Sequence, residues 1–97
     1  MNTGIELIIK KRENQLAKGY TPEKDLHINN SCQLLNAIHV MVFYQDIDKD
    51  SESNILSKIP ANWDKQVWLK MCRKPYTERL AIAGALIAAE IDRIQQQ

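Results

Sequence analysis

The stretch Thr77 to Gln97, TERLAIAGALIAAEIDRIQQQ, decides the fold. Leu80, Ala83, Ile87, Ile91 and Ile94 recur every three or four residues, the spacing that gathers side chains on one helix face. The spacing predicts a helix with Leu80, Ile87, Ile91 and Ile94 turned to the core. Thr77 suits the helix start, and Glu78 puts a negative charge in the first turn, where the helix dipole favours it. Ile82, Ala85, Leu86 and Ala89 make a second face, apolar or small. Ala81, Gly84 and Ala88 lengthen the run of small residues that lets another helix come close. Glycine inside a helix costs about 1 kcal/mol relative to alanine, so Gly84 asks for a packing reason. The segment specifies a helical core and a helical contact, and no chemistry.

Working back toward the start, Trp63, Val67, Trp68 and Met71 fit a short helix capped by Asn62 and broken at Pro75, because the residue before a proline disfavours helix. Ile55, Leu56 and Ile59 read as a turn packed on the core before Pro60. Asp46 to Asn54, DIDKDSESN, reads as a surface loop with four acids against one lysine. Leu34, Leu35, Ile38, Met41 and Val42 predict the buried face of a helix begun at Asn30 and closed by Phe43 and Tyr44. Its MVFY run continues a helical period with no turn signal, so helix is expected over strand. Thr21-Pro22-Glu23 reads as at most one helical turn, followed by a polar loop. Thr3-Gly4-Ile5-Glu6 fits a capping box, and Ile5, Ile8, Ile9, Arg12 and Leu16 form the stripe of a first helix. Gly19 is its expected left-handed terminus.

The reading is a single all-α domain over residues 1–97: a small helical bundle of three long helices plus a short tryptophan-bearing helix. Ile82, Leu86 and Leu7 lie off the main faces of their helices. That excess predicts a homo-oligomer through the C-terminal helix, with Ala85 or Ala89 near the contact.

Composition narrows the function. The formal net charge is +1, where a dedicated duplex-DNA binder is usually more basic. No segment is apolar for the roughly 18 residues of a membrane span, and the start of the chain lacks the pattern of an export signal. Cys32 and Cys72 stand alone, outside any zinc spacing, and read as reduced thiols of a cytoplasmic protein. No cofactor or metal is expected.

Four constellations are candidate sites. Asp46, Asp48 and Asp50 alternate as calcium ligands do, but Ser51 stands where the sharp turn needs glycine and Ser57 where the bidentate glutamate belongs, so a solvated loop is expected. Asp25 and His27, near Asn29 and Asn30, offer too few ligands for a metal. His39, between Ile38 and Val42, reads as a packed histidine. The fourth is the only markedly basic stretch, residues 58–79, with six basic residues against two acids and Trp63, Trp68 and Tyr76 interleaved. Aromatic faces beside cations suit a flat anionic ligand. Trp63, Trp68, Lys70, Arg73, Lys74, Tyr76 and Arg79 are therefore the candidate ligand-binding residues. A nucleotide or a host protein is the expected partner, against the alternative that the tryptophans plug the bundle.

Lys11-Arg12-Glu13-Asn14-Gln15, Gly19-Tyr20-Thr21-Pro22-Glu23-Lys24-Asp25, Pro60-Ala61-Asn62-Trp63-Asp64 with Trp68, and Ala83 to Ile94, AGALIAAEIDRI, occur in this order across most of the chain. Together they resemble a family of small phage and prophage proteins. That family carries an ER-x-x-Q stretch, a G-Y/W-T-P-E-H-D turn, a W-P-W-D…W-W-K-P segment and a K-A-G-A-L-I-x-A-E-I-x-R-L ending. The ending is the most specific match. Lys24 replaces the family's histidine, Ile82 replaces the lysine before AGAL, and the tryptophan segment keeps only Trp63 and Trp68. The resemblance implies a phage or prophage origin and an intracellular protein; it implies no activity.

The expected function is a non-enzymatic binding protein. The alternative is an all-α nucleotide pyrophosphohydrolase of the MazG type, which holds magnesium with E-x-x-E and E-x-x-D carboxylates. Here Glu78, Glu90 and Asp92 lie on the last helix, but Glu90 and Asp92 diverge by roughly 200° around it.

Overall fold

The first helix begins as its sequence requires. Thr3 Oγ1 accepts the Glu6 amide at 3.2 Å, and Glu6 Oε1 accepts the Thr3 amide at 2.9 Å. This reciprocal cap also holds the Glu6 carboxyl below its ordinary range, chiefly through the Thr3 amide. It opens α1 (Gly4–Ala17), which ends at Gly19 with φ 92°, the left-handed conformation glycine tolerates. The computed structural model describes residues 3–21, 24 and 32–96. Pro22 and Glu23 of the expected first turn, and Asp25, His27, Asn29 and Asn30, lie outside the described residues.

Helix α2 (Gln33–Phe43) carries the MVFY run through to Phe43, as its period predicts. A 3-10 turn at Ile47–Lys49 follows. Ser51 Oγ then accepts the Asn54 amide at 3.2 Å and starts α3 (Glu52–Leu56) inside what the sequence presents as loop. Asn62 does not cap the next helix. It sits in a left-handed turn with φ 71°, and Asp64 caps α4 (Lys65–Cys72) by accepting the Val67 amide at 2.9 Å. The final helix, α5 (Tyr76–Gln95), starts from Pro75, so Thr77 lies within its first turn rather than at its cap. The fold is all-α: the described residues form five helices and no strand.

Both α1 and α2 pack on α5. Leu34, Ala37, Val40 and Met41 of α2 meet Ile82, Ala83, Leu86 and Ala89 of α5, and Ile47, Ile55, Trp68 and Cys72 continue this core. The two faces of α5 are therefore reversed from the sequence expectation. The small face of Ala81, Ile82, Ala85, Leu86 and Ala89 is buried, while Leu80, Ile87, Ile91 and Ile94 are 41–52% exposed. The alanines let α2 come close on that side. On α2, Leu35 and Val42 are likewise exposed, and Ala37 and Val40 take their place in the core.

Two further corrections concern α1. Its expected core residues Ile5, Ile9 and Leu16 are exposed, Ile5 by 72%. Arg12, on the same stripe, is the buried residue, bound to Asp92 Oδ2 at 2.8 Å and Gln15 Oε1 at 3.1 Å. The molecule measures 37 × 34 × 21 Å. Helices α1 and α2 take different sides of α5, and Leu80, Ile87, Ile91 and Ile94 lie on the part of α5 that neither covers.

Gly84 has its packing reason within the chain. A β-carbon built there would lie 2.7 Å from both Ile8 Cδ1 and Cγ1. The glycine thus marks the crossing of α1 over α5.

Candidate functional site

The basic stretch from 58 to 79 and the acidic loop from 46 to 54 are separate in sequence and adjacent in space. Arg73 Nη1 donates to the carbonyls of Asp48 at 2.7 Å and Asp50 at 2.8 Å. Arg79 reaches further along the same segment. Its Nη1 donates to the Tyr44 carbonyl at 2.7 Å, its Nη2 to the Gln45 carbonyl and to Asp48 Oδ1, and its Nε to the Lys74 carbonyl. Tyr76 donates its hydroxyl to the Val42 carbonyl at 3.0 Å, and its ring stands 5.1 Å from the Arg79 guanidinium. The last carbonyls of a helix have no partner inside it and carry the negative end of the dipole. Arg79 and Tyr76 supply both donors and charge there, so the end of α2 is held by α5.

This geometry changes the candidate ligand-binding set. Arg79 and Trp68 have no exposed surface. Arg79 is enclosed by the carbonyls it binds. Trp68 fills the core and donates its indole N–H to the Ile55 carbonyl at 2.8 Å. Trp63 is half-buried, edge-on to Trp68 at 5.9 Å. Arg73 and Tyr76 serve the neighbouring backbone. Lys74 lies 3.8 Å from Glu78, and Lys70 is exposed. The seven residues therefore do not converge on one open pocket. The aromatic and cationic pattern reflects a tryptophan core and an arginine clamp.

The acidic loop forms no calcium cradle. Asp48 faces Arg79, while Asp50 accepts from the Asn54 side chain at 3.0 Å and the Ser51 amide at 2.9 Å. Those two bonds, led by Asn54, lower the Asp50 carboxyl, with Lys58 and Arg73 adding weaker attraction. The helix carboxylates are also engaged. Glu90 lies 2.6 Å from Arg93, and Asp92 pairs with Arg12. They answer different arginines and do not point at a shared centre. Among the described residues no group of three His, Cys, Asp or Glu side chains is placed to hold a metal, and no described helix is long and apolar enough to cross a membrane.

Two other surfaces stand out. The first is a three-ring cluster at the end of α2. His39 is exposed rather than packed inside, and stacks on Phe43 at 5.0 Å with 16° between the planes. Phe43 is 66% exposed and meets Tyr44 edge-on at 5.1 Å. Lys58 Nζ lies 5.0 Å from the Tyr44 ring centre. Residues 39 and 43 share a helix face by spacing, a visible signal; the placing of Tyr44, just past the end of α2, and the arrival of Lys58 from the far side of α3 are not.

The second surface is the exposed side of α1 and α5. Ile8 meets Gly84 and Arg12 meets Asp92, so the two helices run in the same direction. At 100° per residue, Ile5, Ile9 and Leu16 are rotated from Ile8 in one sense. Leu80, Ile87, Ile91 and Ile94 are rotated from Gly84 in the opposite sense. For two helices running the same way, those opposite rotations bring both stripes to one side. Seven large apolar residues thus share a single face.

Compared with family models, curated proteins and solved structures, the chain matches none.

Proposed function

We propose that this chain is a binding protein rather than a catalyst, and that it works as a homo-oligomer in which a second copy covers the face of α1 and α5. The observation that carries the reading is the common apolar face. Its seven residues leave on the order of several hundred Å² of apolar surface open, which is at the upper end of what a monomer exposes. That is close to the ~800 Å² each partner contributes to a stable interface. The spacing supports a helical partner: Leu80, Ile87, Ile91 and Ile94 step by seven, four and three, and Ile5, Ile9 and Leu16 by four and seven. This is the repeat that meshes with another helix. A second copy presents the same face, so the contact closes on itself with two-fold symmetry. The contact lies on the opposite side of α5 from Ala85 and Ala89, which the core occupies. The motif resemblance supports a phage or prophage origin and work inside the host cell.

The metal-dependent pyrophosphohydrolase reading finds no support in the carboxylates, because Glu90 and Asp92 are each neutralised by an arginine.

Sedimentation equilibrium tests the assembly. The wild type is expected to be a dimer or larger at micromolar concentration. Ile91→Glu, a change at a half-exposed position, is expected to give a folded monomer with an unchanged helical spectrum. A wild type that stays monomeric at these concentrations would overturn the reading.

A further inference from the structure

We infer that the contact between copies extends onto α2, where Leu35 and Val42 pack against the second copy beside the stripes of α1 and α5. The inference rests on the reading of the α1–α5 face as a contact between copies, and it widens that contact from two helices to three. Leu35 and Val42 are 48% and 41% exposed, although their neighbours Leu34 and Met41 are buried in the core. Helix α2 contains no Asp, Glu, Lys or Arg. Its outer side therefore lacks the charged residues that a surface helix normally turns to water.

Helical geometry places these two residues. The end of α2 meets the start of α5, where Arg79 binds the Tyr44 carbonyl and Tyr76 binds the Val42 carbonyl. The two helices pack along each other, so they run in opposite directions. Counting back along α2 from Tyr44 puts Val42 close to the level of Leu80, and Leu35 close to that of Ile87. From the buried Ala37, residues Ile38, Val42 and Leu35 turn by about 100–160° in one sense. From the buried Leu86, residues Leu80, Ile87, Ile91 and Ile94 turn by about 80–140° in the same sense. For two helices running in opposite directions, turns of the same sense lead to the same side. Leu35 and Val42 thus flank the α5 stripe on one edge, as Ile5, Ile9 and Leu16 flank it on the other. Asn36, His39 and Phe43 turn the opposite way, and the first two line the hollow shared with Ser57 and Lys58.

A second copy is the occupant this strip selects. Along α2 there is no charge to orient an oppositely charged partner. The same uncharged strip on another copy can meet the face without burying an unpaired charge. The two extra side chains also bring the face nearer the ~800 Å² that each partner gives to a stable interface.

Hydroxyl-radical footprinting of the wild type, above and below its dissociation concentration, tests the inference without altering α2. Leu35 and Val42 are expected to oxidise several-fold more slowly in the assembled protein, while Phe43, on the opposite flank, oxidises equally in both states. Sedimentation equilibrium adds a second reading. Leu35→Glu and Val42→Glu should each weaken self-association by about tenfold or more, because the contact would bury an unpaired carboxylate. Phe43→Ser is expected to leave it unchanged. Leu35 and Val42 are half-exposed in the single copy, so their variants should keep the wild-type helical spectrum; should either unfold, the footprint decides alone. An assembled wild type in which Leu35 and Val42 oxidise as fast as in the dissociated chain overturns this inference and leaves the α1–α5 contact standing. A wild type that stays monomeric overturns both, and one that is monomeric yet floats with phosphatidylcholine vesicles puts a lipid surface in place of the second copy.

Discussion

Arg79 shows how one side chain can decide a local structure. It is fully buried, and its guanidinium meets three backbone carbonyls and the Asp48 carboxylate. Arg79→Met leaves those acceptors without donors, and is expected to cost about 3–5 kcal/mol in denaturant unfolding, as breaking a buried ion pair does. Lysine is not expected to rescue it, since one ammonium cannot reach acceptors arranged for a planar fork. The cysteines give a second test at this scale. Cys72 is buried, and that burial pushes its thiol up to about 12, whereas Cys32 is exposed. Alkylation of the native protein should therefore label Cys32 alone, and denaturant should release Cys72. The linkage has a definite sign. An unfolded cysteine titrates near about 8.5, so from there toward pH 12 the unfolded chain loses this proton first and stability falls. Unfolding free energy measured at pH 8 and pH 10 should show the drop in wild type and a smaller one in Cys72→Ala. The tryptophans and arginines of residues 63–79 were legible as a cluster, but their role was not. The sequence places Arg79 thirty-five residues from Tyr44, and only the fold shows that its partners are carbonyls, which every residue carries.

At the scale of elements, the α1–α5 crossing turns on Gly84. Alanine in place of a helix glycine normally gains about 1 kcal/mol. Here the new methyl would meet both branches of Ile8, including Cγ2 at 3.2 Å. A β-branched side chain in a helix has few other rotamers. Gly84→Ala is therefore expected to be neutral to destabilising by about 1 kcal/mol, and Gly84→Leu by about 1–3 kcal/mol, through overpacking. Adding Ile8→Ala should restore the benefit of alanine at 84, a coupling that a double-mutant cycle reads directly. Caps and periods made most elements visible. The Thr3 box, Gly19, the helical MVFY and the final helix were all readable from local chemistry. Which face of α5 is inside was not. Periodicity marks two apolar faces but does not rank them, and size misleads: the larger isoleucines suggested the core, whereas the alanines allowed the close approach. Asp64 displaced Asn62 as a cap because Asn62 entered a left-handed turn, a backbone state asparagine tolerates.

For the whole molecule, the governing fact is that α1 and α5 carry more apolar surface than the core covers. Raising salt should leave the proposed self-association intact or strengthen it, since the face is apolar. Sedimentation at low and high sodium sulfate checks this, and dissociation by salt would indicate a charged contact instead. The excess of apolar residues was legible, and the face that carries it was not. Finding it needs the relative direction of α1 and α5, which no local pattern encodes.

The position of α5 has a consequence for biosynthesis. Helices α1 and α2 pack chiefly on α5, and α5 follows them in the chain. They leave the ribosome before the surface they bind exists. Isolated helices of 14 and 11 residues are marginal in water. The nascent chain must therefore wait, with the side chains of Met41 and Leu34 lacking their α5 partners, until α5 emerges. Folding is then a late, nearly all-or-none closure around the final helix, and a ribosome stalled before Tyr76 would hold a chain open to proteases and chaperones.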